Sequence, residues 1–472
     1  MKKIIFLLLV LISVSDNFSQ NITNTLGASG LFSIKDGSTT FMSLSQATGN
    51  LSLNKNIMMQ FTISSSEGII FKYGLRFIHD FFDPATYGGN TFVGLNSGNF
   101  TMGGSLGQGS YNTGMGLYTL NSLTNGYGNS AFGLYALYGN TSGNQNTADG
   151  ASSLAFNSLG SYNTAAGANS LYNNSSGFGN SAFGHSALLG NSTGNNNSAF
   201  GNSSLTSNTT GYPNSAFGAG ALYNNTTGKE NTAVGYSALL SNVSGFQNTA
   251  VGDSALYNNI GNYNTALGYN AGSNVTTGAN LTLIGIDANP SSPTAIDQIT
   301  LGNQFVSLLR CNVQTITSLS DSRDKKNIQD LTLGLDFITK LKPRQFNWDR
   351  RDWYEGNISD GSKTQETPTA GFIAQEFDEI QKSENAEWLN LVLKDNPEKW
   401  EATYGNLLPV MVKAIQELAI NNEKLKIKNE ELEDRLAKFE EMQNVLVKKI
   451  EQLDSNEQLF KIQIVKSENN NY

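Results

Sequence analysis

A five-residue block that returns every 17 residues is the feature that most constrains the fold of this 472-residue chain. The block first occurs as NSAFG at Asn129, and the step is 17 residues until a last step of 16. Related blocks begin at Asn146, Asn163, Asn180, Asn197, Asn214, Asn231, Asn248 and Asn264. Leucines from Leu137 to Leu256 and glycines from Gly143 to Gly245 keep the same period. Three columns in phase indicate repeated units that stack on one another.

The composition of the repeats favours β-structure over helix. A unit of 17 residues rich in Gly, Asn, Ser and Ala cannot bury a face alone. In a stack, the Ala131 and Leu137 positions of successive coils can lie over one another, Asn side chains can form hydrogen-bonded ladders, and Gly can occupy crowded or left-handed corners. Several glycines per unit disfavour helix by about 1 kcal/mol each. We predict a mainly β repeat solenoid, a parallel β-roll of about nine coils over 90–290. A disordered tract is the alternative, but it would give the periodic apolar residues no purpose.

The N-terminus has the pattern of an export signal. Lys2 and Lys3 precede the apolar run IIFLLLVLISV, which is too short to span a bilayer. We therefore predict a signal peptide over 1–20 and a location at the cell surface or outside the cell. For 21–89, segments such as IMMQFTI and GIIFKYGLRFI predict an N-terminal β region. Cys311 is the sole cysteine, so no internal disulfide framework is expected.

Charge and residue type argue against several classes of function. The net charge is -9, and no Lys or Arg lies between Arg76 and Lys229, so we expect no nucleic-acid partner. The chain has only two histidines, which makes a His-rich metal site or a His-based triad improbable. No metal and no cofactor is predicted. A glycosidase needs paired carboxylates, whereas acidic residues stand alone in separate coils. These residues are Asp149, Glu230 and Asp253.

The C-terminal part is highly charged and ends in heptads. Apolar residues at the d position are Leu418, Leu425, Leu432, Phe439, Leu446 and Leu453. The a position is held by Leu408, Ile415, Asn422, Asn429, Leu436, Gln443 and Ile450. The pattern predicts a coiled coil over 406–455, followed by a tail over 456–472. Two Asn at a weaken the seam and fix its register, but two and three strands both remain open. A single amphipathic helix docked on its own domain is the alternative.

Between the repeats and the heptads we predict a connector over 291–319 and a small α/β domain over 320–405. LTLGLDFITKL and NAEWLNLVL have the pattern of helices, and RQFNW and GFIAQ that of short strands.

Two parts of the chain resemble known families. The repeats over 90–290 resemble the head repeats of trimeric autotransporter adhesins, which form β-rolls from three chains. ITSLSDSRDKKNI, KPRQFNW, GFIAQE and YGNLLPVMVKAIQEL occur in an order that resembles the C-terminal intramolecular chaperone of phage endosialidase tailspikes, over about 318–440. This resemblance implies a homotrimer whose chaperone guides folding of the fibre and then cuts itself off between Leu319 and Ser320.

The chaperone resemblance also assigns residues. Ser320 is the expected nucleophile and Lys325 the expected general base, a pairing that needs no histidine. Asp321, Arg323 and Asn327 are expected to support the loop. A solvated lysine, with an ordinary pKa near 10.4, is protonated at neutral pH, and burial disfavours that charged form. Cleavage would therefore report a completed assembly.

The sequence supports two hypotheses of function. The first is an exported, self-releasing trimeric fibre or adhesin-like protein, whose ligand, a surface glycan or a protein, the sequence does not identify. The second is a structural surface fibre with a C-terminal trimerisation domain that does not cleave. A capping serine beside a solvated lysine would account for the same motif without chemistry.

Overall fold

The computed structural model describes residues 31–36, 39–45, 51–53, 62–64, 68–306, 308–310 and 319–468. The predicted signal peptide, Cys311, residues 311–318 of the connector and the last four residues of the tail lie outside this part of the chain. The chain divides into two compact units, residues 1–213 and 214–472, and each is described by itself.

The first unit begins with antiparallel strands. β1 (Leu31–Asp36), β2 (Thr39–Ser45) and β3 (Leu51–Leu53) form one sheet, and β4 (Ile70–Lys72) and β5 (Leu75–His79) precede β6 (Thr91–Val93). β4 pairs with β5 and β5 pairs with β6, both antiparallel. The segment GIIFKYGLRFI therefore contains the predicted strands. Most of IMMQFTI lies outside the described residues.

Short parallel strands then follow at the period of the repeat. In the first unit they are β7 (Thr113–Met115), β8 (Ser130–Phe132), β9 (Thr147–Asp149), β10 (Thr164–Ala166), β11 (Ser181–Phe183) and β12 (Ser198–Phe200). In the second unit they are β13 (Ser215–Phe217), β14 (Thr232–Val234), β15 (Thr249–Val251), β16 (Thr265–Leu267), β17 (Thr282–Ile284) and β18 (Ile299–Leu301). Pairing is in register with the repeat, as in Thr164 with Ser181. The predicted solenoid is confirmed, with about 11 coils at a 17-residue spacing rather than nine.

Two ladders of buried asparagines run through the coils, as the repeat predicts. Asn163 donates its backbone N–H and its Nδ2 to Oδ1 of Asn146, at 3.0 and 3.2 Å, and its Nδ2 also reaches the carbonyl of Gly177 at 2.8 Å. A second column repeats the pattern, with Nδ2 of Asn174 2.7 Å from Oδ1 of Asn157. Because an unsatisfied buried amide costs about 1–3 kcal/mol, these ladders fix how one coil lies on the next.

The leucine column adopts a backbone conformation that its composition does not predict. Leu137, Leu154 and Leu171 all have φ of 50°, in the left-handed region, and their side chains are completely buried. The left-handed region costs a non-glycine residue about 1–2 kcal/mol. Burying a leucine side chain stabilises by about 1.5–3 kcal/mol. The burial therefore offsets the backbone cost at a corner where glycine would be expected.

The column of glycines from Gly143 to Gly245 leaves no room for a side chain. Gly194→Ala is therefore expected to be a severe substitution. An added Cβ would lie 2.4 Å from Oδ1 of Asn191 and 2.6 Å from the carbonyl oxygen of Gly211. Since the Asn191 amide belongs to a buried ladder, we expect Ala to break ladder bonds and lower the free energy of unfolding by about 3 kcal/mol. Denaturant titration measures the loss. Thr193→Ala, at the exposed preceding residue, is the control, and equal stability of the two variants would contradict the prediction.

The second unit continues into a small mixed α/β region. Its elements are α1 (Leu335–Ile338), β19 (Arg344–Phe346), β20 (Thr369–Gly371), α2 (Ala374–Ser383), β21 (Val392–Leu393), β22 (Glu401–Ala402) and α3 (Leu408–Glu468). Short 3-10 turns occupy Ser322–Asp324, Arg351–Trp353, Glu355–Asn357, Glu387–Leu389 and Tyr404–Leu407. β19 pairs with β20 and β21 with β22, both antiparallel. The core contains Phe337, Phe377, Leu391, Leu407 and Val410, so the first turn of α3 belongs to this region.

Three predictions of local structure in this region are corrected. GFIAQ is not a strand, because only Gly371 lies in β20 and helix α2 begins at Ala374, where Phe377 enters the core. LTLGLDFITKL contains a helix of only four residues, Leu335–Ile338. NAEWLNLVL forms a 3-10 turn and then β21, since Asn390 takes a left-handed conformation and ends the turn.

Helix α3 continues far beyond the core. Val410 and Ala414 are buried and Oε2 of Glu417 accepts the backbone N–H of Leu335 at 2.8 Å, which docks the first three turns. Farther on, the d leucines are exposed, by 61% for Leu425 and 60% for Leu446. The long helix is thus present, and the coiled coil stays a prediction about partner helices.

None of the helices in the described residues has the length and apolar character needed to cross a bilayer.

Candidate self-cleavage site

The predicted cleavage site lies where the described chain resumes after the solenoid. Leu319 is fully exposed, and Ser320 follows it on the surface. Neither Leu319 nor Ser320 lies in a helix or a strand. The bond is therefore open to attack from a neighbouring group.

A short turn brings the two predicted catalytic side chains together. Asp321 caps the turn Ser322–Asp324, because its Oδ1 accepts the backbone N–H of Arg323 at 2.9 Å. The backbone N–H of Lys325 donates to the carbonyl of Ser322, which closes the turn. As a result Nζ of Lys325 lies 2.5 Å from Oγ of Ser320. This is within the reach required of a nucleophile and its base.

Asp321 and Arg323 form a two-point ion pair beside the serine. Nη2 of Arg323 lies 2.6 Å from Oδ2 of Asp321, and its Nε lies 3.0 Å from Oδ1. The hydrogen bonds from Arg323 lower the pKa of the Asp321 carboxyl, and the same contact raises the pKa of Arg323. The pair is solvent-exposed, so its contribution to stability is small. The ion pair joins two residues of the turn, and the supporting role of Asp321 and Arg323 stays a prediction.

Asn327 occupies the bend that follows Lys325. Its backbone is left-handed, with φ of 54°, and its side chain is exposed. Asn tolerates this conformation better than most residues. The predicted role of Asn327 as a polar support stays a prediction, and its backbone conformation is a contribution that the sequence did not suggest.

The site as a whole is exposed. Lys325 and its neighbours from Ser320 to Asn327 all lie on the surface, so water has access to both members of the pair. In the described residues no group of three or more His, Cys, Asp or Glu is placed to hold a metal ion.

A polar contact links the small mixed α/β region to the last coils within the second unit, and sequence reasoning missed it. The Oγ of Ser291 donates to the carboxylate of Asp395, and Nε2 of Gln298 lies 3.3 Å from the same carboxylate. Nδ2 of Asn396 donates to the carbonyl of Ser291 at 3.0 Å. These residues stand about a hundred positions apart in the chain, and their types carry no signal of a contact.

Comparison with known proteins agrees with the sequence resemblance. Residues 320–385 match the Peptidase_S74 family, which is described as the chaperone of endosialidase. The matched segment begins at Ser320 and ends just beyond helix α2. No curated protein and no solved structure matches the chain.

Proposed function

We propose that this endosialidase-type chaperone domain assembles three copies of the chain into an exported, fibre-like surface protein and then releases itself by cutting before Ser320. The family match and the solenoid immediately upstream support a fibre with a C-terminal chaperone. The order of these segments along the chain also fits this role. The domain follows the solenoid and precedes a long helix whose apolar stripe is exposed.

One observation carries the proposal of self-cleavage. Ser320 and Lys325 are in hydrogen-bonding contact at 2.5 Å, directly beside the exposed residue Leu319. A serine that follows the cut bond can reach the carbonyl carbon before it through a small ring. The position of the nucleophile therefore matches the position of the proposed cut.

The chemistry needs only this chain and water. Lys325, when neutral, takes the proton from Oγ of Ser320, and Oγ attacks the carbonyl carbon of Leu319. The C–N bond then breaks, and the amine of Ser320 receives the proton. An ester now joins the acyl group of Leu319 to Oγ of Ser320. Water hydrolyses this ester and leaves a carboxylate on Leu319 and a free hydroxyl and amine on Ser320.

The exposed lysine gives the reaction a dependence on assembly. In one chain Lys325 is in contact with water, and water stabilises its charged form. A neighbouring chain that covers the turn would remove this water and favour the neutral amine. The uncovered heptads of α3 provide a means of bringing such neighbours together. Cutting would then follow assembly.

The contacts between the domain and the last coils of the solenoid are suited to release of the domain after the cut. The described contacts at Ser291 are hydrogen bonds at partly exposed groups. Such bonds contribute about 0.5–1.5 kcal/mol each between neutral groups and about 1.5–3 kcal/mol where one partner is charged. Once the covalent link at Ser320 is gone, the domain would stay attached only through non-covalent contacts of this kind. The fibre would remain without the part that built it, and its unfolding would become slow and irreversible.

Export and surface location are part of the proposal. They are supported by the two lysines and the apolar run at the N-terminus. The adhesin-like role is supported by the resemblance of the repeats, and the class of ligand proposed for it is a surface glycan or a protein.

The test is the mass of the exported product and of its native particle. The proposal predicts a polypeptide that begins after the signal peptide and ends at Leu319, in a particle of three chains. An exported particle of three uncut chains would support the other reading, a structural fibre with a non-cleaving trimerisation domain. Single, full-length chains would overturn both.

A further inference from the structure

An exposed apolar column runs along the outer face of the second unit's coils. The column, called here the outer ladder, consists of the exposed residues Val234, Leu267, Ile284 and Leu301 and the half-buried Val251. Each is the third residue of its strand and pairs directly with its counterpart in the next coil. The middle residue of each strand points inward, as with the buried Ala233 and Ala250. The outer ladder is therefore fixed on the surface by strand alternation.

The side chains of the outer ladder are large and apolar for positions that face water. Leu267 is 49% exposed and Ile284 is 41% exposed. Beside it, two residues farther along the chain, a second column contains the exposed Tyr236, Tyr269 and Ile286. A contiguous apolar strip of this kind marks a contact surface more often than a free one. Its neighbours on the other side are the first residues of the strands, mostly Thr.

Charge and spacing restrict what can cover this strip. Asp253 is the charged residue of the outer ladder and its two flanking columns. A strongly charged partner surface would therefore find few opposite charges to pair with here. The side chains repeat at the strand spacing of about 4.8 Å. A partner must be apolar at the same spacing over several coils. The same face of another copy, aligned in parallel, meets both conditions.

We propose that the outer ladder is the surface through which the coils of three copies pack on one another, an inference that rests on the proposed trimer. A second uncovered stripe in the same unit points to the same partner. The d residues of α3, among them Leu418 and Leu432, are exposed at heptad spacing, and a parallel coiled coil holds its chains in register. Chains aligned in this way present equal coils to each other at equal heights.

A cysteine placed on the outer ladder tests the proposal. Cys311 is first replaced by Ser, so that Val251→Cys supplies the sole thiol. Val243→Cys is the matched control, because Val243 is an exposed valine in the bend before the strand. Purified exported product of each variant is treated with a short bis-maleimide, its native mass is measured, and its chains are separated on a denaturing gel.

The proposal predicts that the Val251→Cys product has the mass of three chains and gives linked chains on the gel, at several times the yield from Val243→Cys. A trimer without links at Val251, or with equal links at both positions, would overturn the proposal and leave the proposed function intact. A monomeric product would overturn the proposed function itself, together with the inference built on it.

Discussion

An S320A variant is expected to accumulate as an uncut chain. The substitution removes the oxygen that lies 2.5 Å from Nζ of Lys325 and leaves no hydroxyl next to the peptide bond after Leu319. Loss of a nucleophile in hydrolases lowers the rate by many orders of magnitude, so we expect at least a thousand-fold loss of cutting. Intact mass and a denaturing gel of the exported product give the result directly.

Two controls make this prediction specific. Ser322→Ala changes an exposed serine in the same turn, and the variant is expected to cut at the normal rate. Lys325→Arg retains the positive charge but cannot give up its proton at neutral pH, so it is expected to remain uncut. Cutting that persists in either S320A or Lys325→Arg would show that the assigned pair does not carry the chemistry.

An L425D variant is expected to lose assembly and cutting together. Leu425 is a d residue that is 61% exposed in the single chain. In a coiled coil of three strands, three aspartates would face each other in one buried layer, and each buried charge costs several kcal/mol. We expect the concentration needed for assembly to rise at least a hundred-fold. Sedimentation measures the native mass, and a gel of the same sample measures the fraction cut.

The matched control lies on the same turn of the helix. Ile427 is also an exposed apolar residue, but it lies outside the a and d positions. Ile427→Asp should therefore assemble and cut as the parent chain does. If both aspartates abolish assembly, the helix acts through a surface other than the heptad stripe. If neither does, the chains are held together elsewhere.

The solenoid was predictable because its physical requirements recur in the same residues. Buried Ala, paired Asn and crowded Gly return at every step, so their positions in the coil follow from the period. The number of coils was underestimated because the end coils depart from the period. The first Asn ladder already runs from Asn90 to Asn112, a step of 22 residues. The left-handed leucines could not be predicted, since backbone preference points to Gly there and only tertiary burial selects Leu.

The C-terminal region was less predictable because its elements are short. Helix α2 begins within GFIAQE, where β-favouring residues precede it, and the contact of Phe377 with the core decides the outcome. At the site, the pairing of Ser320 with Lys325 came from resemblance to a family, and the turn that Asp321 caps supplies its geometry. Residue spacing alone would not have distinguished this pair from a capping serine beside a solvated lysine.

The dependence of cutting on assembly is tested most directly by chain concentration. The full-length chain is made by cell-free synthesis over a wide range of concentrations, and the fraction cut and the native mass are followed in the same samples. Dilute, monomeric chains are expected to stay intact, and cut product is expected to appear together with the particle of three chains. Cutting at one constant rate, including in samples that contain only monomers, would contradict this dependence.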